Sequence, residues 1–110
     1  MPLLERVRVE IYLPDPHLPE YEKLLRLLQE EFTYAFGGCS IVQGLEGSYL
    51  SILGKLIPDR INLIYSDIPT SLTKNFDTVA GCVDELKRAT TEALTEEAIM
   101  ISVEQIYHAI

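Results

Sequence analysis

The chain has 110 residues, 47% hydrophobic and 24% charged, with 17 acids against 9 Lys and Arg for a formal charge of −8. A length of this order makes one domain, spanning 1–110, and the apolar share supports a packed core rather than disorder. These figures exclude a multi-domain enzyme, a disulfide scaffold and a membrane span, and they argue against nucleic acid as a partner, because phosphates are held by Lys and Arg.

The basic residues stand singly apart from Lys87-Arg88, so they form no patch. Met1 to Arg6 lacks the basic start, apolar stretch and cleavage site of a signal peptide, and the expected compartment is the cytoplasm. Cys39 and Cys82 form no CxxC pair and are expected to be reduced, partly buried thiols.

Residues 7–13 alternate, with Val7, Val9, Ile11 and Leu13 on one side and Arg8, Glu10 and Tyr12 on the other. Period two with β-branched residues predicts a strand. Three prolines, Pro14, Pro16 and Pro19, then break regular structure. Over 20–36, Tyr21, Leu24, Leu25, Leu28, Phe32 and Phe36 recur at spacings of three and four, which predicts a helix closed by Gly37-Gly38.

Residues 39–67 read as a β-hairpin. Gly44 and Gly47 interrupt its first arm and predict a bulge or bend, and Gly54-Lys55 is the expected turn, with Pro58-Asp59 as the alternative. Pro58 fits an edge or bulge position. Residues 68–76 read as a loop, with Asn75 or Asp77 capping a second helix along Val79, Cys82, Val83, Leu86, Thr90, Ala93 and Leu94, closed by Thr95-Glu96-Glu97. Residues 98–107 return to strand.

The order is β-α-β-β-α-β, the α+β ferredoxin-like topology: two helices on one face of an antiparallel-rich sheet with strand order 4-1-3-2. Parity assigns Val7, Val9, Ile11, Ile61, Leu63, Ile99, Ile101 and Val103 to the helix-facing core. It leaves Arg8, Glu10, Tyr12, Arg60, Asn62, Ile64, Ser66, Met100, Ser102, Glu104 and Ile106 on the open face. That mixture is too apolar for a solvated surface and too polar for a dry core. It fits a homo-oligomer, a dimer in the simplest case, or a groove for a small-molecule ligand.

Among the acids, Glu30-Glu31, Asp84-Glu85 and Glu96-Glu97 read as solvated helix faces or ends. Glu10 and Glu104 differ, because strands one and four are expected to be neighbours and both acids face outward. They could approach each other as general acid-base groups, but a cross-strand salt bridge with Arg8 or Arg60 is the favoured expectation. A metal site would need His108 with Glu10 or Glu104, and no HxH or HExxH spacing supports one. GxSxG, GxGxxG and the P-loop are absent, so no nucleophile or cofactor is indicated. The glycine-rich hairpin reads first as structure, and second as a pocket lip presenting Glu46, Tyr49, Asp59 and Arg60.

Phe32-Thr33, Phe36-Gly37-Gly38, Ser40-Ile41-Val42, Gly47-Ser48-Tyr49 and the run Arg60 to Tyr65 together resemble a group of small bacterial proteins of unassigned function, some of them cyanobacterial. The resemblance implies a ferredoxin-like α+β domain and supplies no catalytic residue. The expected function is an oligomeric binding or interaction module. The alternative is a small cofactor-free enzyme, resembling dimeric α/β-barrel monooxygenases or isomerases, with a pocket of Glu10, Tyr12, Arg60, Asn62, Glu104 and His108.

Overall fold

A computed structural model describes residues 3–93 and 99–109. The order is β1 (Leu3–Pro14), α1 (Pro19–Phe36), β2 (Ser40–Leu50), β3 (Leu56–Ile68), α2 (Leu72–Ala93) and β4 (Met100–Ala109). The strands form one antiparallel sheet in the order β2-β3-β1-β4, which is the expected 4-1-3-2 arrangement. No helix among the described residues is long and apolar enough to cross a membrane.

The alternation of β1 becomes the centre of the core: Val7, Val9, Ile11 and Leu13 are fully buried. Against them lie Tyr21, Leu24, Leu25, Leu28 and Phe32 of α1, the face set by its three-and-four spacing. Pro19 occupies the first turn of α1, where its missing N–H costs nothing. Gly37 ends the helix at φ 87°, and its N–H donates to the Thr33 carbonyl at 2.9 Å.

The second helix starts at Leu72, inside the segment read as a loop. The cause is distant in sequence: the Leu72 N–H donates to Oε1 of Gln105 on β4 at 2.8 Å, which caps the helix from outside. Asn75 marks a kink at φ −125°, and its side chain donates to Thr70 Oγ1 and to the Ser71 carbonyl. The expected cap residue thus sits where helical geometry breaks. Leu94, the closing Thr95-Glu96-Glu97 and residue 98 lie outside the described residues. The final strand runs on to Ala109, because His108 and Ala109 pair with Leu4 and Leu3.

The hairpin turns at residues 51–55. Gly54 is at φ 77°, and Ser51 exchanges hydrogen bonds with Gly54 and Lys55. Gly44 makes the bulge, at φ 71°, where the β2–β3 register shifts between Val42 and Leu45. Gly47 does not: it pairs regularly with Asp59. Pro58 lies where β3 has run past the end of β1 and keeps β2 as its neighbour, as suits a residue without an N–H. Replacing Gly44 by Ala is expected to cost about 1–2 kcal/mol, mostly from the left-handed backbone. A new Cβ would stand 3.2 Å from the far end of the Arg60 side chain, a contact that side chain can relieve. An unchanged urea midpoint would contradict this.

The facing of β3 is reversed from expectation. The register sets Ser66 opposite Val9, Ile64 opposite Ile11 and Asn62 opposite Leu13, so these even-numbered residues enter the helix-facing core. Ile61, Leu63, Tyr65 and Asp67 take the open face. Two hydrogen bonds make the polar pair acceptable inside: Asn62 Oδ1 accepts from the Gly44 N–H at 3.0 Å, and Ser66 Oγ donates to the Gly38 carbonyl at 2.6 Å. A shift of one residue moves a whole strand to its other face, so these side chains change sides together.

Candidate functional site: the open sheet face

The open face is built from the alternate residues of β1, β3 and β4 that the helices do not cover. Register places Arg8 between Asp67 and Glu104, Glu10 between Tyr65 and Ser102, and Tyr12 between Leu63 and Met100. Arg8 grips Asp67 with both ends of its fork, Nε to Oδ1 at 2.7 Å and Nη2 to Oδ2 at 3.0 Å. Its guanidinium also lies over the Tyr65 ring, 4.4 Å from the centroid. His108 Nε2 approaches Asp67 Oδ2 at 3.4 Å. Hydrogen bonding to Arg8, reinforced by the Arg8 charge, holds the Asp67 carboxyl below the usual carboxylate range, although partial burial opposes this.

Beside this ion pair lies a carboxyl pair. Glu10 is buried, and its Oε2 accepts from the Tyr12 hydroxyl at 2.6 Å. That bond, burial and the charges of Glu10 and Glu104 push the Tyr12 phenol upward. Glu104 is pushed above its ordinary range first by a hydrogen bond with Glu10, then by the charge of Glu10 and by lost solvation; Asp67 adds to the shift and Arg8 opposes it. Register sets the two acids diagonally on neighbouring strands of one face, with Glu10 opposite Ser102 and Glu104 opposite Arg8. The expected salt bridge with Arg8 is absent, because Arg8 pairs with Asp67.

Four of the eight candidate residues, Glu10, Tyr12, Glu104 and His108, lie on this face of β1 and β4. Asn62 is buried on the opposite face, bonded to the bulge. Arg60 and Glu46 are paired in register farther out, beyond the end of β1. Tyr49 stands opposite Ile57 on the same outer arm. Asp67 and Tyr65 complete the cluster and are not among the candidates. Sequence parity assigns Arg8 to this face without a site role. Only the β1–β3 register reveals Tyr65 and Asp67, and no local pattern carries that information. Among the described residues no group of three or more His, Cys, Asp or Glu side chains is placed to hold a metal ion.

Away from the sheet face, a cleft of about 520 Å³ opens between α1 and α2, with Leu24, Leu28, Phe36, Cys82 and Leu86 among its lining. A smaller one of about 290 Å³ lies at the start of β2, between Phe36–Ser40 and Tyr65–Asp67. Both cysteines are free and half-buried; Cys39 Sγ donates to the Gln29 carbonyl at 3.7 Å.

No family model matches the chain, and no curated protein matches it. Solved structures do. CPII, a nitrogen regulatory PII-like protein from Thiomonas intermedia K12 solved with ADP, AMP and bicarbonate, superposes with a TM-score of 0.56 at 18% identity, over 99% of this chain and 100% of that one. The divalent cation tolerance protein Cut A1 from Thermus thermophilus gives 0.57 at 18% identity, over 92% of this chain and 82% of that one. CutA1 from Oryza sativa gives 0.58 at 17% identity, over 97% and 84%. At these identities the likeness is one of fold: the chain has the ferredoxin-like α+β architecture shared by the PII-like protein and the CutA1 proteins, along nearly its whole length.

Proposed function

We propose that the chain is a small binding module that works as a homo-oligomer. The observation that carries this reading is the outer hairpin arm. Beyond the end of β1 the arm projects Leu50, Ile52, Leu53 and Leu56, exposed by 70%, 105%, 84% and 73%. Tyr49 and Leu45 add to the surface. Single exposed apolar residues need no explanation, but a contiguous group of this size on one protrusion marks an interaction surface. The arm also leaves the side of β3 that β1 no longer covers open over Leu56–Asp59, an edge that another strand can extend. A second copy of the chain supplies such a strand, since β2 and β4 are both sheet edges.

Sedimentation at micromolar concentration is expected to give a multiple of the 12.4 kDa chain mass. The double variant Ile52→Asp/Leu53→Asp is expected to sediment as the single chain with its helical circular dichroism intact. A wild-type monomer would overturn the reading.

The ligand class to test first comes from the solved relative of equal length, CPII, which holds ADP, AMP and bicarbonate. Isothermal titration with each of the three compounds, run on the assembled protein, tests whether this chain takes an adenine nucleotide or a small anion. An absence of heat with all three at millimolar concentration would remove that ligand class and leave assembly to be judged separately. The enzyme alternative has less support. The pocket it requires is divided between two sheet faces, with Asn62 buried on one and Glu10, Tyr12, Glu104 and His108 on the other.

A further inference from the structure

We propose that the trough between α1 and α2 is a ligand site of its own, and that it takes a small cationic amphiphile: a single alkyl chain with an ammonium head. The inference goes beyond the reading above, because neither the hairpin arm nor the open sheet face enters it.

Two hollows meet in this trough. The outer one, about 520 Å³, lies between the helices over Leu24, Leu28 and Leu86. The inner one, about 220 Å³, reaches Val9, Ile68 and Val79. Ala35, Phe36 and Cys82 line both. Together they have the size and apolar lining of a small-molecule site. Val9 is fully buried and Val79 nearly so, and the inner end is closed by the core. Polar side chains on the walls are already engaged. Thr90 Oγ1 donates to the Leu86 carbonyl at 2.7 Å, and the Asn75 amide donates to Thr70 Oγ1 and to the Ser71 carbonyl. What passes Phe36 must therefore be apolar, since a polar group would lose its water there and gain no partner.

The rim of the outer hollow sets the sign of the head group. Glu31 of α1 and Glu85 and Glu92 of α2 stand around the mouth, with Arg88 as its one cation. All four are exposed, and none of them is in an ion pair among the described residues. Three carboxylates against one guanidinium draw in a cation and repel an anion. The inner hollow decides between a small molecule and a peptide helix. A helix is about 10 Å across and would cover the outer hollow alone, whereas an alkyl chain threads both.

The test is isothermal titration of the full chain with dodecyltrimethylammonium below its micelle concentration. Laurate serves as the anion of equal chain length, and circular dichroism of the same samples follows the fold. The cation is expected to saturate one site per chain with a dissociation constant below about 1 mM, and laurate to bind at least about fivefold more weakly. Shortening the tail to decyl is expected to weaken binding about tenfold, for two buried methylenes lost. Glu85→Gln/Glu92→Gln is expected to weaken the cation by about three- to tenfold. Glu46→Gln/Asp59→Asn removes the same charge from the hairpin arm and is expected to leave binding unchanged. Ala35→Phe, at an exposed position that lines both hollows, is expected to abolish binding with the helical signal intact. No heat with the cation, laurate binding as tightly as the cation, or a folded Ala35→Phe that binds like wild type would overturn the proposal. So would equal losses in the two double variants, because binding would then follow net charge and not this trough. If Ala35→Phe loses its helical signal, the double variants decide. None of these results touches the oligomeric state, which sedimentation tests separately.

Discussion

Replacing Phe32 by Ala is expected to remove about 3–5 kcal/mol of stability, the largest loss for any single side chain discussed above. Phe32 is fully buried and meets Phe36 edge to face, with ring centroids 5.4 Å apart. It anchors the last turns of α1 on the sheet, so truncation leaves a cavity and loosens the helix end from which Gly37-Gly38 leads into β2. Domains of this size have about 5–15 kcal/mol in total, so the variant stands near the limit of cooperative folding. Urea unfolding followed by circular dichroism at fixed protein concentration is the measurement, since assembly would otherwise contribute to the midpoint. A midpoint within experimental error of wild type would mean that α1 is not seated as described.

Removing Arg8 is expected to have the next largest effect. Arg8→Met keeps an apolar stem over Tyr65 but leaves the Asp67 carboxylate without its two-point partner. The side chains are 30% and 19% exposed, between the weak surface pair and the strongly coupled buried pair, so the expected loss is about 1–3 kcal/mol. The pH dependence has a definite sign. The Asp67 carboxyl titrates lower in the folded chain than in the unfolded one. Its contribution is therefore complete above the unfolded carboxylate range, near pH 4, and fades as pH falls through the lower folded value. Asp67→Asn should flatten that part of the acid-unfolding curve, and the double variant with Arg8→Met should lose less than the sum of the two singles. Strict additivity would show that the two side chains do not act together. Glu104 carries the opposite sign, since its carboxyl is raised: its proton is favoured by the folded chain and lost as pH climbs.

Much of this architecture is legible in local pattern. Alternation in β1 and the three-and-four spacing of α1 are strong because their buried sides are almost purely apolar. Strand order follows from topology, which is why the placement of Glu10 and Glu104 on one face of neighbouring strands is legible in the sequence. The facing of β3 is not. Over 60–66 both parities carry apolar residues, and the choice between them is made by two hydrogen bonds from elsewhere in the chain, at Gly44 and Gly38. The Arg8–Asp67 pair is hidden for the same reason, because it depends on a β1–β3 register that neither strand specifies alone. The first turn of α2 is equally hidden, because its cap, Gln105, arrives from β4.

The bulge at Gly44 has an effect out of proportion to one residue. Before it, even-numbered residues of β2 share the side of Leu63; after it, odd-numbered ones share the side of Ile61. Absorbing one residue there is what turns Leu45 and Tyr49 toward the open face. If the same residues paired in an unbroken ladder, Glu46 would slide opposite Asp59 and those apolar side chains would pass to the reverse of the arm. Loss of one codon at position 44 is the milder change, because a ladder shortened by one residue keeps Leu45 opposite Ile61. Evolution could therefore shorten this arm by one residue at little cost to its facing, whereas a bulky β-branched residue at the same position would press the arm to turn over.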